Sequence, residues 1–204
     1  MKTLLLLAVL VGTASAQKIV YTKVFPGSTP AYVKITITQA GALTYQEAAD
    51  ESEPDTVQLD TATTSAIFDL AVKLDHFKTK IESGLKVAKT GDKTYRWEEG
   101  SSATEAKYNH TNDENARLLQ DWFEHITESQ RLRADLERTY KYDRLGVNEM
   151  VERLDAAWQK QRIVAPGQFI TILDRIAKNE SLLNMARDRA ADLSDAFKAL
   201  TKAQ

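Results

Sequence analysis

The dominant spacing of oily side chains changes near Asn109, and that change bounds what this chain can fold into. Before it, around a single helical stretch, apolar residues fall at every second position, the period of a half-buried strand. After it, they fall every third or fourth position, the period of one buried helical stripe. The stretch Thr111–Tyr142 is the joint. It opens with Thr111-Asn112-Asp113-Glu114, where a Thr followed three residues later by Glu can satisfy two free amides at a helix start. Leu118, Trp122, Ile126, Leu132, Leu136 and Tyr140 then trace the expected buried stripe.

The N-terminus reads as an export signal. Lys2 supplies one positive charge, Leu4 to Val11 an apolar run, and Ala14-Ser15-Ala16 the small residues before a cleavage site. Cleavage after Ala16 leaves a chain secreted or held in the periplasm. The run is shorter than the roughly 20 apolar residues of a spanning helix, and no later stretch is apolar enough to insert. The chain has no Cys, so lipidation at the cleavage site, disulfides, thiol chemistry and Cys-ligated zinc are excluded by composition. Stability must come from burial. A chain of about 190 residues can remove about 70% of its unfolded surface from water. The net charge of -2 gives no electrostatic reason to expect nucleic acid or an anionic membrane as partner.

Between residues 17 and 110 a small, mainly antiparallel sheet covered by one helix is expected. Lys18 to Val24 forms a first strand and ends at Phe25-Pro26-Gly27-Ser28-Thr29-Pro30, where two prolines and a glycine force a loop. Tyr32 to Thr38 alternates cleanly, with Val33, Ile35 and Ile37 on one face, and Ala40-Gly41 turns it into a second strand through Leu43 and Tyr45. The acidic segment Asp50 to Asp55 reads as a solvated connection, because its spacing matches no calcium loop. Thr61 to Thr64 offers caps for a helix carrying Ile67, Leu70, Ala71, Leu74 and Phe77. Strands are expected over Leu85–Lys89, Lys93–Trp97 and Glu105–Asn109, placing Leu85, Val87, Tyr95, Trp97, Ala106 and Tyr108 on one face.

Phe25, Gly27, Pro30 and Tyr32, a Phe-x-Gly-x-x-Pro-x-Tyr opening, with Gly41 and Tyr45 beyond it, resemble the start of a small α/β domain of uncharacterised exported bacterial proteins. Many of these carry Cys where this chain has Thr29, so no thiol role transfers. Asp75-His76-Phe77, Gly84-Leu85-Lys86-Val87-Ala88 and Asp143-Arg144-Leu145-Gly146-Val147 extend the resemblance to one such family over nearly the whole mature length. The resemblance implies a fold and a compartment and brings no activity.

Residues 111–204 are expected to form a three-helix antiparallel arrangement, completing an α+β protein. The long helix stops near Tyr142, ahead of Gly146. Asn148 caps a second helix with Val147 in the staple position, and Ile163 to Gly167 breaks it. One last helix of roughly 30 residues, about 45 Å long, carries Phe169 through Leu200. Arg133–Glu137, Glu137–Lys141 and Asp174–Lys178 are spaced to pair across single helical turns.

The familiar arrangements for chemistry are missing from the sequence. His76, His110 and His125 do not pair at the spacing of a zinc helix, neither Gly27-Ser28 nor Gly100-Ser101 sits in a nucleophile turn, and there is no glycine-rich phosphate loop. Glu98 and Glu99 are adjacent on a strand and face opposite ways. Asn109-His110-Thr111 and Asn179-Glu180-Ser181 match the glycosylation pattern, which a bacterial host would not use. No catalytic residue, cofactor or metal site is therefore assigned. The leading expectation is a non-catalytic envelope protein that binds a protein or peptide partner, with Phe25, Pro26, Gly27, Pro30 and Tyr32 as candidate contacts. Lys18–Val24 is then the candidate edge strand, able to take an added peptide strand. The alternatives are an enzyme of unfamiliar type, with His110 or His125 in a groove between the halves, and a spacer that forms a homodimer through its helices.

Overall fold

The computed structural model describes residues 17–203; the export signal expected over residues 1–16 lies outside them. The protein is α+β, a six-stranded antiparallel sheet with five α-helices among the described residues. The strands are β1 (Gln17–Val24), β2 (Tyr32–Thr38), β3 (Ala42–Gln46), β4 (Asp55–Gln58), β5 (Asp92–Glu99) and β6 (Ser102–Tyr108), in the spatial order β4-β3-β2-β1-β5-β6.

Register follows the alternation. Tyr21 lies between Ile35 of β2 and Tyr95 of β5, and Ile19 between Ile37 and Trp97, so one face of the sheet is a continuous apolar layer. Its opposite face carries charge, with Lys18–Glu98 at 2.7 Å, Arg96–Glu98 at 2.7 Å and Lys107–Glu105 at 3.0 Å. Water can stay on that side, as antiparallel sheets permit.

Two helices, where one was expected, cover the apolar face. The first, α1 (Thr61–Lys73), is capped by Asp60, whose carboxylate accepts from Thr63 N at 2.8 Å, and buries Ile67, Phe68, Leu70 and Ala71. The second is the first half of α2 (Glu114–Tyr142), through Ala116, Leu119, Phe123 and Ile126. Here Asp113 is the cap, accepting from Ala116 N at 2.9 Å, while Thr111 Oγ1 accepts from Asp113 N. Leu118, expected in the buried stripe, is 47% exposed, and Leu119 and Phe123 take the inward places. Apolar residues occupy both 118/122 and 119/123, so spacing alone left that half-turn ambiguous.

The second half of α2 enters a separate apolar cluster with α3 (Val147–Gln159), α4 (Ile170–Ala177) and α5 (Asn184–Ala203). Asn179 Nδ2 donates to Tyr140 Oη at 3.4 Å, and Gln130 Nε2 to Gln168 Oε1 at 3.0 Å, so α2 and α4 run the same way. Arg162, just past α3, meets Glu128 at 2.8 Å, which returns the end of α3 to the middle of α2. At the midpoint of α2 the buried residues are polar, Ser129 and Gln130, and they separate the two apolar clusters.

Four further expectations are corrected. First, Lys18–Val24 is not an edge: β1 pairs with β2 and β5 on its two sides, so its backbone has no free row of donors and acceptors. Second, Leu85–Lys89 is not a strand. Leu85 and Val87 are 56% and 44% exposed, and residues 80–91 run as a loop held by side chains around Asn109, with Glu82 accepting from Asn109 N at 2.6 Å and Asn109 accepting from Thr90 N at 2.7 Å. Third, the acidic connection leads directly into the edge strand β4, whose short sequence Asp-Thr-Val-Gln carries almost no apolar signal. Fourth, the last helix is two, α4 and α5, after a short 3-10 turn over Pro166–Phe169. Asn179 breaks it by accepting from both Ser181 N and Ser181 Oγ, a local turn that competes with the helical ladder. Asp174 accordingly pairs across to Lys198 of α5 at 2.6 Å.

Candidate binding groove

The loop between β1 and β2 is built from its own backbone. Phe25 N donates to Ala31 O at 2.8 Å, and Ser28 Oγ lies 2.7 Å from the carbonyl oxygens of Phe25 and Pro30. Gly27 takes a φ of +88°, a conformation that glycine reaches without a side-chain clash. Arg131 of α2 donates from Nη1 to Thr29 O at 2.8 Å and so ties the loop to the helix.

Between this loop, α2 and α3 lies a groove of about 520 Å³, within the usual range for ligand sites. Of the residues the sequence singled out, Pro30 lines it, with Ser28 and Thr29. Phe25, Pro26, Gly27 and Tyr32 are not brought to it. Phe25 lies against Gly91, where an added Cβ would come within 3.0 Å of the Phe25 Cβ, Pro26 and Gly27 are exposed, and Tyr32 alternates with the buried Val33 and so faces away from the core.

The charge of the groove comes from Lys23, Arg131, Arg153, Lys160 and Arg162, against Glu124, Glu128 and Asp135. Several of these are already engaged: Arg162 with Glu128 at 2.8 Å, Asp135 with Arg138 at 2.7 Å, and Arg131 with Glu47 at 3.6 Å. Glu124 accepts from Gln120 Nε2 at 2.7 Å. Among the described residues no carboxylate lies within 4.0 Å of the side-chain nitrogens of Lys23, Arg153 or Lys160. The groove therefore presents three cations with unmet charge. Its wall also includes Tyr21, which is 1% exposed.

A second cavity, of about 630 Å³, shares Lys23 and Glu124 with the first and is also lined by Lys93, His110 and Glu114. Lys93 is only 3% exposed and stands directly opposite Lys23 in the sheet register. Its amine donates to Thr90 Oγ1 at 2.9 Å and Asn109 O at 2.8 Å. Burial pushes its pKa down, and the charge of Lys23 acts in the same direction. His110 reaches this cavity and His125 reaches neither, so the two histidines are not brought together. Among the described residues no group of three or more acidic or histidine side chains is placed to hold a metal ion, and no helix is long and apolar enough to cross a membrane.

Sequence reasoning passed over Tyr21, Lys23, Arg153 and Lys160. A signal for Lys23 was present. Ile19, Tyr21 and Lys23 share one parity, as do Lys93, Tyr95 and Trp97, so a lysine stands at the end of each core-facing row. A charge at a core-parity position is a mark of a cavity or a buried partner. Arg153 and Lys160 gave no such mark, because their spacing is that of any solvated helix face.

The fold and groove define a class: an α+β protein with a helix-walled cationic cleft beside its sheet. No protein-family model, curated protein or solved structure matches the chain.

Proposed function

We propose that this is a non-catalytic binding protein of the cell envelope that takes an acidic segment of a protein partner into the groove between the β1–β2 loop, α2 and α3. The observation that carries this reading is the convergence of Lys23, Arg153 and Lys160 on one cleft without carboxylate partners, in a chain whose net charge is -2. Opposite charges brought together in a partly enclosed cleft interact more strongly than on an open surface. Capture by strand addition at β1 is not part of the reading, since both sides of β1 are occupied. Side chains do the recognition. Action outside the cytoplasm is supported by the pattern of Lys2, Leu4–Val11 and Ala14-Ser15-Ala16, and membership of an exported bacterial family by the residues that resemble it.

The test is fluorescence anisotropy with a labelled, acetylated six-residue peptide of alternating Glu and Ala. Binding should weaken as salt rises, and Arg153→Glu with Lys160→Glu should weaken it about tenfold or more. Equal binding of a Lys/Ala peptide, or no effect of the double variant, would refute the reading.

One observation favours a second reading, an enzyme: His110, Lys93 and Glu114 line one cavity, and these residue types can carry general acid and base steps. A panel of activated esters and glycosides tests it, with turnover expected and abolished by His110→Ala. No turnover by the unaltered protein removes it.

A further inference from the structure

We infer that the Tyr21 hydroxyl, in the wall of the groove, is the donor that selects a carboxylate of the bound acidic segment. This rests on the groove being the binding site. The hydroxyl is buried and has no hydrogen-bond partner among the described residues. Its neighbours on the same face are satisfied: Tyr95 Oη donates to Ala116 O at 2.9 Å, and Tyr108 Oη to Tyr95 Oη at 2.6 Å. Native interiors rarely leave such a group unpaired, and the exceptions call for an explanation.

The ring is also held in place. Phe123 stacks on it at 4.5 Å with the planes 7° apart, and Tyr95 lies 5.8 Å away. Burial first, then Tyr108 and Glu124, push the phenol pKa up, so the group keeps its proton and acts as a donor. Lys23 lies two residues along β1 on the same face, and Arg153 lines the same cleft. A carboxylate entering there meets a fixed neutral donor and two cations. The hydroxyl is closed to solvent in the free protein, so a carboxylate reaches it only as the side chains of the groove wall around it give way.

The experiment is Tyr21→Phe, which keeps the stacked ring and deletes only the oxygen. Thermal melting is measured without ligand, and anisotropy with the Glu/Ala peptide, alongside Arg153→Glu. The expected result is an unchanged or higher melting temperature together with affinity about fivefold to tenfold weaker. Full affinity in Tyr21→Phe, with affinity lost in Arg153→Glu, overturns the role of Tyr21 and leaves the groove standing. A lower melting temperature would show that the hydroxyl is already satisfied in the free protein and overturns it too. No binding by the unaltered protein removes the groove reading and this inference with it.

Discussion

Ser129 Oγ accepts a hydrogen bond from Val164 N at 2.9 Å while donating to His125 O at 2.8 Å, so one hydroxyl fastens the loop after α3 to the middle of α2. Both Ser129 and Val164 are buried. Without the hydroxyl the Val164 amide has no alternative partner from water, and an orphaned buried donor costs about 1–3 kcal/mol. Ser129→Ala is therefore expected to lower unfolding free energy by about that amount in urea titration.

Gly41 is fixed by both conformation and space. Its φ is +82°, and a Cβ there would lie 2.6 Å from Gln58 Nε2, 2.8 Å from Leu59 O and 2.9 Å from Thr64 Oγ1. Gly41→Ala should destabilise by about 2 kcal/mol, read as a drop in denaturant midpoint with an unchanged slope. Gly27 also has positive φ, with nothing within 4 Å of an added Cβ, so Gly27→Ala should cost less.

Phe123 is fully buried under Tyr21 and 5.8 Å from the Tyr95 ring. Phe123→Ala removes this packing and leaves a cavity between α2 and the sheet, at a cost of about 3–5 kcal/mol. The same change frees the Tyr21 ring, so groove binding should fall along with the melting temperature. Trp122, only partly buried beside it, should tolerate Ala better in the same melting experiment.

Asp174 is held below the usual carboxylate range by its hydrogen bonds from Lys198 and then Ser194, each at 2.6 Å. A lowered pKa in the folded state means that the ionised form favours folding. That stabilisation is complete above the unfolded-state value and is lost as pH falls through the folded one. Asp174→Asn should thus be less stable than the parent near neutral pH, by under about 1 kcal/mol because the pair is partly exposed. The gap should close below about pH 4, as followed by melting temperature across a pH series.

Much of the sheet was legible in the sequence because a strand with one wet face and one dry face must alternate. Val33, Ile35 and Ile37 showed this, and so did Tyr95 and Trp97. Leu85 and Val87 alternate too and stay exposed, since alternation states only which side chains would share a face and says nothing about whether a face is buried. The groove was largely illegible. Arg153 on α3 and Lys160 just past its end meet Lys23 on β1 through a chain reversal that no local spacing encodes.

By itself the sequence determined the α+β class, the joint near Asn109 and the loop at Pro26–Pro30, because these depend on periodicity and on the backbone limits of proline and glycine. Tertiary structure decided that β1 is central and that α2 turns its first half to the sheet and its second to the helices. Those outcomes depend on which surfaces meet, a competition between burials of comparable free energy that is settled only when distant segments pack together.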